Sequence, residues 1–153
     1  DLVTLVPEKP EELTTEGGLD LITQSNAIAE TVDTLQNSGI PVCVFIDPNL
    51  DQIKLAHKIN ATMVEINTGT FCEAKTLKKR NQAFSSIVDT VKLAHKLKIG
   101  INAGQGLCYN TITSFKGLYE IEEFSIGYSI VSKAVLVGMD RAVKEIITLI
   151  KEL

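Results

Sequence analysis

The chain has 153 residues, with 15 Lys or Arg against 19 Asp or Glu and a formal net charge of −4. That length fits one domain able to bury roughly two-thirds of the surface it exposes when unfolded. The mild acidic balance, the lack of Trp and the few aromatic residues exclude the basic stripe and stacking platforms that nucleic acid demands, and the apolar runs AVLVGM and IITLI are too short and too soon interrupted by charge to cross a membrane.

In chain order, the first strand is expected over Leu2–Val6. It opens the chain with no initiator Met and no helix to cover it, so a piece of a longer protein is expected. Ala27, Ile28, Val32 and Leu35 then recur at helical spacing and predict a helix over Ala27–Gln36, ending near Gly39. Val42–Ile46 is a short β-branched run, followed by a helix over Asp51–Asn60 with Ile53, Leu55, Ala56 and Ile59 as its apolar positions. Met63–Asn67 is the third strand. The run KTLKKR, Lys75–Arg80, reads as a solvated loop able to steer anions. A helix over Ser86–Leu97, strands over Ile99–Ala103 and Phe124–Ile126, and a final helix over Met139–Leu153 complete the series. Short apolar strands alternating with amphipathic helices predict an α/β fold with five βα units on a parallel sheet.

Two stretches echo each other: LAHKINATMVEIN and LAHKLKIGINAG each end a helix on Ala-His-Lys and begin a strand shortly afterwards. The echo puts His57 and His95 at helix C-termini, where the dipole favours positive charge, on the face away from the chemistry of parallel βα architectures. Neither histidine is therefore expected in the site. The three cysteines, Cys43, Cys72 and Cys108, form no CxxC pair and suit a reducing compartment, and no signal peptide precedes the first strand; a cytoplasmic protein with neither nucleic acid nor membrane as partner is expected.

Active residues in such folds collect past the carboxyl ends of the strands. After the first strand come Glu8, Thr14, Thr15, Gly17 and Gly18 in a long polar loop; after the second, Asp47 before Pro48 starts a turn. Strand alternation puts Met63, Glu65 and Asn67 on one face and Val64 and Ile66 on the other. A carboxylate within a buried strand is costly to desolvate, so Glu65 is either functional or ion-paired. After the fourth strand Gly104 and Gly106 flank Gln105, with Asn102 in the strand end, and after the fifth Gly127 and Ser129 open a helix whose N–H groups suit an anion. Cys72 and Cys108 lie in strand-end loops with no general base beside them, and no metal-ligand spacing occurs.

Taken together, LVPEKPEELTTEGGLDL, VFIDPNLDQIKLA, EINTG, NAGQGL and IGYSIVSKAVLVGMDRAV resemble the pyridoxine 5'-phosphate synthase family over the whole chain, in order and with matching spacing. The resemblance implies a (β/α)8 barrel, of which residues 1–153 form a single domain covering about strands 4 to 8. It implies condensation of 3-amino-2-oxopropyl phosphate with 1-deoxy-D-xylulose 5-phosphate, without redox cofactor or metal, in a homo-oligomer whose partners are small phosphorylated molecules. On this likeness Thr14 contacts substrate, Glu65 is the catalytic carboxylate, and Gly106 and Gly127 hold phosphate through their backbone. Three positions depart from the family pattern: Gln105, Tyr128 and Asn67 stand where histidine is usual. Gln105 takes a catalytic position and Tyr128 a substrate-binding one. Glutamine positions a substrate or water but supplies no general acid-base catalysis, which is worth roughly 10²–10⁴-fold; Tyr128 donates a hydrogen bond without the imidazolium charge.

A sugar-phosphate-binding homologue with impaired catalysis is the alternative function. The family's remaining key groups, a histidine, a glutamate and arginines, belong to its first three strands. Five strands cannot close an eight-stranded barrel, so the chain alone is expected to expose two strand edges or to rely on another chain. A complete flavodoxin-like domain is the alternative fold, although the chain has neither a helix before its first strand nor an acid-rich switch-point loop.

Overall fold

The computed structural model describes residues 1–7, 15 and 17–153. Five strands, β1 (Val3–Leu5), β2 (Val42–Ile46), β3 (Met63–Asn67), β4 (Gly100–Gly104) and β5 (Glu123–Ser125), form one sheet in the order β1-β2-β3-β4-β5, every pair parallel. The helices are α1 (Leu21–Asn37), α2 (Leu50–Lys58), α3 (Gly69–Cys72), α4 (Leu77–Lys96), α5 (Tyr128–Val137) and α6 (Met139–Lys151), with a 3-10 turn at Ile112–Phe115. Strand order follows chain order throughout, so the winding never reverses. A doubly wound domain has a switch point where the order reverses; this sheet has none and is a segment of a barrel wall.

One face of the sheet is packed and the other open. Val42, Val44, Ile46, Val64, Ile66, Ile101 and Ala103 are buried against the helical layer. Beyond the end of β4 the helical layer closes over an aromatic cluster: Phe115 stands edge-on to Phe71, Phe84 and Phe124, with ring centroids 5.4–5.8 Å apart. β1 and β5 are the two edges.

The bounds of β2 and β3 agree with the sequence reading; other elements differ for local reasons. α1 begins six residues earlier than expected, because Asp20 caps it by accepting from the N–H groups of Ile22 and Thr23. A kink at Gln24 (φ −112°, ψ 16°) separates that first turn from the periodic stretch beyond it. Thr76 caps α4, its hydroxyl accepting from Lys79 N at 3.3 Å, so Leu77–Arg80 is helix rather than loop. Arg80 lies over the Phe71 ring, 4.9 Å from its centroid. β4 extends to Gly104 and β5 starts at Glu123, each one residue from expectation. The echo is real in backbone terms: His57 and His95 occupy the last turns of α2 and α4, and Asn60 (φ 57°) and Lys98 (φ 59°) leave them through the same left-handed step. Among the described residues, no helix is long and apolar enough to cross a membrane.

The Asp20 cap is sensitive to pH. Hydrogen bonding to Thr23, with further bonds from Gln52 and Ile22, outweighs desolvation and lowers its carboxyl below the ordinary value. A depressed carboxyl stabilises the fold fully above the unfolded value of about 3.9, and loses that contribution as pH falls through the folded value. Asp20→Ala is therefore expected to lower the unfolding temperature at pH 7 by a few degrees, and the gap from the parent should narrow below about pH 4. A gap that stays constant down to pH 2 would contradict a charge-dependent cap.

Candidate active site

The carboxyl ends of the strands surround a cleft of about 810 Å³ on the open face, with Glu65, Glu73, Gln105, Gly106, Gly127 and Tyr128 in its wall. Strand alternation delivers Glu65 to it: Met63 and Glu65 are half-buried on the open face, whereas Val64 and Ile66 are fully buried on the helical side. Phe45, Glu65, Asn102 and Glu123 are register partners across β2 to β5. The Glu65 carboxylate leans across β4, and Oε1 takes the space a Cβ on residue 104 would need. Gly104 is thus glycine because the carboxylate lies on it.

Gln105 occupies the left-handed region (φ 79°), followed by Gly106 (φ 73°). A side chain at 106 would be strained by that φ and would stand 3.0 Å from Cys72 Cβ. The turn is clamped by Thr68, buried at the end of β3. Its N–H donates to Gly104 O at 2.8 Å, and its hydroxyl lies 2.7 Å from Gly104 O and 2.5 Å from Gln105 O. The Gln105 amide donates through Nε2 to Thr15 O at 3.1 Å, fastening the β1–α1 loop over the cleft. Glutamine here is a strut.

Asp47 does more than start a turn. Its Oδ1 accepts from Gly18 N at 3.0 Å and from Asn67 Nδ2 at 2.8 Å, joining the ends of three βα units, while Asn49 caps α2. Asn67 is engaged at both ends, since its Oδ1 accepts from Gly69 N at 2.9 Å. It holds the loop frame instead of presenting a group to the cleft. Asp47 and Thr68 are the residues sequence reasoning missed as parts of the site. Their partners lie 20 to 37 positions away, and no local pattern marks them.

Gly127 precedes α5, which has no side-chain cap. Its φ is −121° and a Cβ there would meet nothing within 4 Å among the described residues, so neither the backbone nor their packing calls for glycine. What a side chain would fill is the cleft itself. Tyr128 is 88% exposed on the rim. Ser129 donates through Oγ to Leu107 O at 3.0 Å, tying the two glycine loops together rather than standing open as an anion ligand. Thr14 and Glu8 lie outside the described residues.

The thiols differ in character. Burial, then the Glu65 charge, push Cys43 on the inward face of β2 up to about 12. Burial raises Cys72. At Cys108 burial also raises, but hydrogen bonds from Thr111 and the Asn110 backbone outweigh it and leave the thiol below its ordinary value. Among the described residues no cluster of three or more His, Cys, Asp or Glu could hold a metal ion.

A parallel sheet wound in one direction, with a carboxylate on its inner face and glycine loops past its last two strands, is part of a (β/α)8 barrel of the kind that works on ligands at its carboxyl end. A family model described as "Pyridoxal phosphate biosynthesis protein PdxJ" matches residues 1–152, and the chain belongs to that family. It is 59% identical over 151 residues to a pyridoxine 5'-phosphate synthase of Desulforapulum autotrophicum, covering 99% of this chain and 63% of the relative. It is 54% identical to the enzyme of that name from Desulfosudis oleivorans (98% and 64% covered) and 50% identical to that of Geobacter metallireducens (99% and 63%). The chain thus spans a little under two-thirds of the length of these relatives.

Proposed function

We propose that this chain supplies the carboxylate and the phosphate-holding loops of a pyridoxine 5'-phosphate synthase, which condenses 3-amino-2-oxopropyl phosphate with 1-deoxy-D-xylulose 5-phosphate and releases phosphate. The observation that carries the reading is the placement of Glu65 in one cleft with Gly106 and Gly127. Relatives that bear the synthase name support it. In this reading the substrate phosphate is held by backbone N–H groups at the start of α5, where helix dipole and amides favour an anion, and Tyr128 closes the rim. Glu65 takes up protons from the substrate or stabilises positive charge that develops on it. Gln105 holds the roof of the cleft and exchanges no proton. The protein is taken to act in the cytoplasm as a homo-oligomer on small phosphorylated substrates, without nucleic acid, membrane or cofactor.

The test is formation of pyridoxine 5'-phosphate by the full-length protein from the two substrates, with Gly127→Ala beside it. Because position 127 has room for a methyl group, the variant should fold with unchanged stability. It should raise KM for a phosphorylated substrate about tenfold, as expected where one well-placed anion contact is lost. Product formation that is absent, or a KM that does not respond, would count against the reading.

The second reading, a sugar-phosphate binder with impaired catalysis, is favoured by Gln105, whose amide serves the Thr15 carbonyl. A neutral imidazole keeps one donor and adds a proton to trade. Gln105→His should then raise turnover about tenfold, within the range of a restored acid-base group. No gain would mean that the glutamine is not what limits the chemistry.

A further inference from the structure

β3, β4 and β5 contribute one inward row, Glu65, Asn102 and Glu123, aligned by direct register pairing. Asn102 is 3% exposed. Its Nδ2 donates to Glu123 Oε2 at 3.4 Å. That contact fixes the amide's orientation, because a carboxylate only accepts and the flipped amide would set oxygen against oxygen. Asn102 Oδ1 is then a buried acceptor with no donor among the described residues, an arrangement that costs about 1–3 kcal/mol. Among the described residues, the titratable groups facing this row are Glu65 on β3, Glu123 on β5, Glu122, whose Oε1 would stand 3.0 Å from a Cβ on Gly100, the inward position before Asn102, and, behind them on β2, Cys43, whose thiol senses both carboxylates. The Glu65 carboxylate leans over β4 at Gly104, the next inward position after Asn102.

We propose that Asn102 is a positioning residue whose carbonyl gains its hydrogen bond only when Glu65 is protonated, as it is in turnover once that carboxylate has taken a proton from the substrate. In the step, a proton leaves a C–H, N–H or O–H bond of the substrate and the bonding pair stays behind on the substrate. The proton joins a Glu65 oxygen, and the new carboxyl O–H donates to Asn102 Oδ1. Passing the proton on to a departing oxygen restores the carboxylate and breaks the hydrogen bond. Glu123 holds Nδ2 and keeps the amide from turning. An interaction absent from the resting site and present after proton transfer lowers the barrier without tightening substrate binding. The proposal rests on the reading of Glu65 given above and deepens it.

The test uses the full-length protein and an isosteric pair, Asn102→Thr and Asn102→Val, with Glu65→Gln as reference. Thr keeps an acceptor, one bond nearer the backbone than the Asn102 carbonyl, and Val does not; their volumes match, and the buried hydroxyl should leave Thr the less stable of the two. The Val variant should show kcat about tenfold below the Thr variant, the worth of one buried hydrogen bond, with KM unchanged in both. Infrared difference spectra on acidification need no turnover: the carboxyl C=O band that is absent from Glu65→Gln should move to higher frequency in Asn102→Val. Equal kcat in the Thr and Val variants, or a Glu65 band that stays in place, overturns the proposal. If the parent makes no product, or Glu65→Gln works as fast, the synthase reading fails instead, and the infrared band alone decides the role of Asn102.

Discussion

Alanine at position 18 is expected to lower the unfolding free energy by about 3 kcal/mol, the upper range for a forced steric insertion. A Cβ on Gly18 would overlap the Asp47 nitrogen and lie within 2.5 Å of the Ile46 carbonyl carbon and 2.6 Å of its Cα. All three are backbone atoms at the end of β2, where Ile46 is fully buried, so no flexible side chain can give way. The β1–α1 loop must move instead. Moving it breaks the bonds Gly18 N to Asp47 Oδ1 (3.0 Å) and Leu19 N to Phe45 O (2.8 Å), and frees Asp47 from its place beside Asn67. Gly17→Ala is the control: its nearest neighbour among the described residues would be Asp47 Oδ2 at 3.8 Å, an ordinary contact. Urea unfolding should show a lower midpoint with unchanged slope for position 18 and no change for position 17. Matching midpoints for Gly18→Ala and the parent would mean that the loop slides without cost.

The fold was legible where one physical rule governs a whole segment. β2 is hydrophobic over its full length, and in β3 Val64 and Ile66 meet the helices on one face while alternation alone put Glu65 on the other. Legibility failed where a single cap decides. The start of α1 hides in the polar stretch Thr23–Asn26, and only the Asp20 carboxylate and the kink at Gln24 explain it. α4 begins with Lys78, Lys79 and Arg80 in its first turn, against the preference of the helix dipole; the Thr76 cap and the Arg80 contact with Phe71 offset that penalty.

In the site, Gly106 and Gly127 could be read because loop glycines past strand ends have a local signature. Glu123 could not, because starting β5 one residue late drops it from the strand. Asp47 and Thr68 are invisible for a different reason: a side chain that clamps backbone far along the chain leaves no trace in spacing. The histidines are the reverse case. His57 and His95 sit at helix ends in the sequence reading and in the structure alike, and the structure adds that Asn67 and Gln105 are parts of the loop frame.

Gly104→Ala is expected to act as a hidden substitution of Glu65. The added methyl group would take the place of Glu65 Oε1 and stand 2.9 Å from Ser125 Cβ. A glutamate side chain can swing aside, but Ser125 Cβ moves only with the edge strand β5, so a shift of β5 and a measurable loss of stability should accompany the change while the fold survives. The carboxylate cannot stay where it is, and with Glu65 acting on substrate as proposed above, a misplacement of about 1 Å costs on the order of a hundredfold in rate. In the full-length protein kcat should therefore fall about a hundredfold, and Glu65→Gln should fall at least as far. The decisive comparison is the double variant. If Gly104 matters because the carboxylate lies on it, then once Glu65 has lost its charge the methyl group has little left to disturb, and the double should be no slower than the worse single. Losses that multiply would place the effect of Gly104 elsewhere, most directly in the Gly104–Gly106 turn that Thr68 holds at the mouth of the cleft.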